Sequence, residues 1–135
     1  MLRRLPILAL LLLIGRTGFT QVILPVFPDS LFTTYYHQRA TLFSLLPKSD
    51  SDILFVGNSI TDGGEWGELF NDVRIKNRGI SGDITTGVMH RLPDIASGRP
   101  TKVFLLIGVN DVARGIATDS IFKNIVLIAD YLQQE

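Results

Sequence analysis

The sequence predicts an α/β domain built on a parallel sheet, on three observations. Two short apolar runs, residues 53–56 (ILFV) and 103–107 (VFLLI), each stop at a glycine. A third run, residues 73–77 (VRIKN), alternates apolar with polar. Segments with helical character follow each run, and strict alternation of strand and helix gives parallel strands joined by right-handed crossovers. With 46% hydrophobic and 19% charged residues, the 135-residue chain has the makeup of one globular core.

Residues 1–20 read as a signal peptide. Arg3 and Arg4 precede residues 5–14, which are apolar apart from Pro6, and Gly15, Thr17, Gly18 and Thr20 follow. The run falls short of the roughly 20 apolar residues that a spanning helix needs. Cleavage near Thr20 would give a secreted or periplasmic product with no stable membrane insertion; left uncleaved, the segment would be an anchor. Loss of Arg3, Arg4 and Arg16 leaves 10 basic against 13 acidic residues, a charge of −3.

Residues 21–50 form a lead-in. Pro25 and Pro28 punctuate an extended stretch. A helix is predicted over residues 30–46, burying Leu31, Tyr35, Leu42 and Leu45 or Leu46, and ending before Pro47.

The functional domain is expected over residues 51–135. Residues 53–56 and 103–107 suit strands covered on both faces, and residues 73–77 suit an edge strand. Helices are predicted at 65–70, at 86–92 and from 120 onward. In the last, Ile121, Ile125, Ile128 and Leu132 share one face, with Thr118 or Asp119 as N-cap. The architecture is a three-layer, flavodoxin-like parallel sheet. In a 2-1-3-4-5 strand order the apolar third strand requires a fourth neighbour, so the sheet is expected to be incomplete at the C-terminus. On that reading the chain is a fragment, poorly folded, aggregation-prone and nearly inactive.

Ligands in such sheets lie beyond the carboxyl ends of the strands. There the sequence places Gly57-Asn58-Ser59-Ile60-Thr61-Asp62, Arg78-Gly79-Ile80-Ser81-Gly82-Asp83 and Gly108-Val109-Asn110-Asp111. Each strand delivers glycine with hydroxyl, amide or carboxylate groups to one edge. Acyl transfer needs a nucleophile and fixed donors around a developing oxyanion, each donor lowering the barrier by roughly 3 kcal/mol.

These three blocks, the second taken from Asn77, resemble those of the SGNH hydrolases, also called the GDSL family, and most closely the exported acetylhydrolase-like branch often labelled carbohydrate O-acetyl esterase. The resemblance runs from about Ser51 to Leu132. It implies that Ser59 is the nucleophile of an ester hydrolase, and that the oxyanion hole consists of the backbone amides of Ser59 and Gly82 with the side-chain amide of Asn110. It also implies an acyl ester substrate, small or carbohydrate, and no cofactor. Asparagine at position 58 departs from the family's frequent aspartate. Thr61 separates the pattern from the Gly-x-Ser-x-Gly elbow of α/β-hydrolases.

A serine hydroxyl requires an adjacent base. The family supplies it from a late Asp-x-x-His block, whereas the two histidines here, His37 and His90, follow Thr34 and Gly87 at that spacing. Packing or surface roles are expected for both. An inactive or ligand-binding remnant of the esterase fold is therefore an alternative. Ser59 as a helix N-cap is a blander one. Asp62, Asp83 and Asp111 share the sheet edge and raise a rival, metal-dependent phosphoryl transfer, although no glycine-rich phosphate loop with lysine accompanies them. Trp66 and Phe70 are candidates for an acyl-pocket wall or for core, and Glu65 for a first-turn helix charge. A balanced charge, 13 basic and 13 acidic residues, gives no footprint for nucleic acid. Without cysteine there is no disulfide, thiolate metal site, cysteine nucleophile or lipidated N-terminal cysteine.

Overall fold

The computed structural model describes residues 21–134, and the expected signal peptide lies outside the described residues. The elements run α1 (Thr34–Leu45), β1 (Ile53–Gly57), α2 (Ser59–Asp62), α3 (Trp66–Leu69), β2 (Ile75–Gly79), α4 (Thr85–His90), α5 (Leu92–Ala96), β3 (Lys102–Leu106), α6 (Val109–Ala113) and α7 (Thr118–Gln134). The three strands are parallel in the order β2-β1-β3, the opening of the expected arrangement.

Alternation along β1 decides what each face meets. Leu54 and Val56 point into a core with Val88 and Met89 of α4, Leu92 and Ile95 of α5, and Ile128 of α7. On the opposite face Phe55 meets Trp66, Phe70 and Phe104, with ring centroids 5.2, 6.0 and 5.1 Å away. A second cluster joins Tyr36 and Phe43 of α1 to Ile80, just beyond β2. No helix among the described residues is long and apolar enough to cross a membrane.

Several expectations shift. The α1 helix buries Tyr36 and Phe43, while Leu31, Tyr35, Leu42 and Leu45 are exposed. Polar and aromatic anchors set that face: Thr33 caps the Tyr36 amide, the Tyr36 hydroxyl donates to the Gly87 carbonyl at 2.7 Å, and Arg39 and Arg78 lie over the Phe43 ring. The edge strand β2 starts two residues late. Asp72 turns the chain first, accepting from the Arg74 amide through its side chain and from the Ile75 amide through its carbonyl. The expected 86–92 helix is two short ones, α4 and α5. Thr118 and Asp119 lie inside α7, whose buried residues include Ile121 and Ile128 as anticipated.

The strand β3 departs furthest from expectation, because its faces are unequal. Phe104 and Leu106 are 54% and 46% exposed, and among the described residues β3 pairs on its β1 side only.

Candidate active site

The register fixes where the three blocks emerge. Gly57 pairs with Gly79 on one side and with Leu106 on the other, so the loops after all three strands leave from one level. The first turn of α2 sits directly over β2. A Cβ on Gly79 would overlap the backbone of Thr61 and Asp62, so only glycine permits this approach.

Asn58, not Ser59, caps α2. Its side-chain carbonyl accepts from the Ile60 amide at 3.0 Å, and the residue is fully buried. The capping need at this helix start is met by the asparagine, and Ser59 becomes the first helical residue, exposed at the sheet edge. Among the described residues the Ser59 hydroxyl and the amides of Ser59 and Gly82 donate to no protein acceptor.

Gly82 holds φ +81°, a left-handed conformation suited to glycine. Asn110, one residue into α6, donates from Nδ2 to the Asp83 carbonyl at 2.8 Å, which leaves its second amide hydrogen for another acceptor. Gly82 and Asn110 are thereby brought onto one loop contact, and Asp62 ties that loop to the Ser59 helix. The Asp62 carboxylate accepts from the Ser81 amide at 3.1 Å, from the Ser81 hydroxyl at 2.7 Å and from the Tyr35 hydroxyl at 2.8 Å. Burial tends to lift the Asp62 carboxyl, but these bonds and Arg39, 3.2 Å away, outweigh it and hold the group below its ordinary value.

The other two aspartates are equally committed. Asp83 forms a buried pair with Arg91 at 2.9 Å and accepts from the Ile84 amide; burial pushes its carboxyl up against the pull of Arg91. Asp111, with no exposed surface, receives the Thr85 amide and hydroxyl, and Asn124 of α7 donates to that hydroxyl. All three carboxylates orient neighbouring chain. That donor set suits loop positioning better than the metal-dependent rival.

Neither histidine serves Ser59. His37 bonds the Asp29 carbonyl, and His90 lies against Tyr36, Phe32 and the Asp29 carboxylate. Trp66 packs on Phe55 and donates to the Thr61 carbonyl at 2.7 Å, while Phe70 is 56% exposed. Glu65 precedes α3 without capping it through its side chain. Of two supporting residues, Asn77 heads the second block and Arg114 carried no functional signal in the sequence. Asn77 donates to the Thr61, Asp62 and Gly64 carbonyls and so holds the end of α2. Arg114 donates to the Gly82 carbonyl at 2.8 Å.

The parallel strands thus deliver an unpartnered serine hydroxyl and a loop with an unbonded glycine amide to one edge of an α/β sheet. The family model described as GDSL-like lipase/acylhydrolase matches residues 55–135, more than half of the chain. The chain belongs to that family of ester hydrolases. A solved structure from Streptococcus pneumonia, provisionally assigned as a platelet activating factor, is similar at 27% identity and a TM-score of 0.63, over 74% of this chain and 49% of that one. A provisionally assigned acylhydrolase from Bacteroides fragilis is similar at 25% identity and a TM-score of 0.57, over 74% of this chain and 56% of that one. The chain thus spans about half the length of each. No curated protein matches it.

Proposed function

We propose that this chain carries the nucleophile and oxyanion hole of a serine carboxylic ester hydrolase. In the reaction Ser59 Oγ bonds to the ester carbonyl carbon and loses its proton to a base. The carbonyl oxygen takes the negative charge within reach of the Ser59 and Gly82 amides and Asn110 Nδ2. Collapse expels the alcohol with a proton, and water then releases the acid from the acyl-serine.

The observation that carries this reading is the set of free groups on one sheet edge: the Ser59 hydroxyl, the two backbone amides and the second hydrogen of Asn110. The acylhydrolase assignment of the Bacteroides fragilis neighbour supports an acyl ester substrate. The small or carbohydrate acetyl esters remain the proposed class, and the leader-like residues 1–20 support export. Among the described residues no histidine reaches Ser59, so residues 21–134 alone are assigned only the residual acceleration of an oxyanion hole, about a thousandfold.

The test is hydrolysis of a short-chain nitrophenyl ester by the full-length gene product. Ser59→Ala should reduce it to background, and unchanged hydrolysis in that variant would refute the nucleophile assignment.

A further inference from the structure

We propose that Arg114 is a positioning residue of the oxyanion hole, acting on the Gly82 amide across the Gly82 Cα by clamping the peptide that follows it; this rests on the functional reading above. Arg114 stands at the C-cap of α6, four residues after Asn110 and hence on the same helix face. The two residues grip consecutive carbonyls of one loop, Arg114 Nη2 holding that of Gly82 and Asn110 Nδ2 that of Asp83, each at 2.8 Å.

The clamp is needed because of what directly precedes it. Gly82 has no Cβ, is exposed, and holds φ +81°, one of several conformations open to glycine. Its own amide makes no bond to protein that could fix it. The neighbouring anchors lie to either side, with Asp62 on the Ser81 amide and Asp111 on the Thr85 amide. The peptide after Gly82 is held within the loop by the Asp83 amide, which donates to the Ile80 carbonyl at 3.1 Å, and from outside the loop by Arg114 on the Gly82 carbonyl. The guanidinium also sits 4.0 Å from the place a Cβ would occupy on Gly82, close enough for its charge to favour an oxyanion bound at the same residue. Such a contact leaves substrate affinity alone and acts on the transition state.

Arg114→Met removes the donor and keeps the aliphatic stem, while Arg114→Lys restores a charged donor. In the ¹⁵N-labelled full-length gene product, Arg114→Met should broaden or displace the Gly82 amide resonance, and Arg114→Lys should partly restore it. Short-chain ester hydrolysis should show kcat lowered about tenfold at unchanged KM in Arg114→Met, less than the hundredfold or more expected for losing a direct donor, with partial recovery in Arg114→Lys. An unmoved Gly82 resonance overturns the inference whatever the rates. So does a displaced resonance with unchanged kcat, or a loss confined to KM. Hydrolysis that survives Ser59→Ala would mark failure of the esterase reading itself, and the resonance would still decide whether the clamp exists.

Discussion

At residue scale, the division of labour between Asn58 and Ser59 is the informative feature. A serine after a strand is ordinarily a cap, but here the buried amide beside it performs that role and leaves the hydroxyl unengaged. Asn58→Ala should therefore lower stability by about 1 kcal/mol through loss of the cap, read as a lower urea midpoint. Asp62 makes a second prediction. Its carboxyl lies below the ordinary value of 3.8, so its contribution is complete above that pH and disappears as the pH falls through the lower folded value. Wild type should lose stability relative to Asp62→Asn on acidification from pH 5 to 2, and parallel urea midpoints would refute this. The placement of Ser59, Gly82 and Asn110 beyond the strand ends was legible because each follows a strand halt in a patterned block. Asn77 stood in the second block but its contacts were not legible, and Arg114 was not legible at all, since a bond to a distant carbonyl has no local pattern.

At the scale of elements, close approach and buried polar contacts hold the loops over the sheet. Gly79→Ala would force the α2 turn off β2 and should cost about 1–3 kcal/mol, measured as a loss in Tm and urea midpoint. Asn124→Ala should cost about 1 kcal/mol by stripping the Thr85 hydroxyl of its α7 partner. Strands were readable because apolar runs ended at glycine. The face of α1 was not, because leucine spacing was outweighed by the Tyr36 hydroxyl and by cations over Phe43. The late start of β2 has the same origin, as the Asp72 turn occupies residues that alternate like a strand.

At the scale of the whole molecule, the sheet presents β3 along one side with its outer hydrogen-bonding groups unpaired among the described residues, and with Phe104 and Leu106 half exposed. Such an edge templates association. Phe104→Lys in the chain of 135 residues should raise the monomer fraction in sedimentation velocity, and an unchanged distribution would place the sticky surface elsewhere. The fold order was legible from three runs and their sequence, whereas the bare face of β3 depends on what packs against it, which a strand's composition does not state. The proposed catalysis turns on Ser59 forming the bond to the acyl group, and Ser81, also exposed at the same edge, offers an internal alternative. The most direct measurement is mass spectrometry of the full-length gene product quenched during turnover of a short-chain nitrophenyl ester. An acyl increment on the peptide bearing Ser59, absent in Ser59→Ala, is predicted; hydrolysis with the increment on Ser81, or on neither serine, would contradict it.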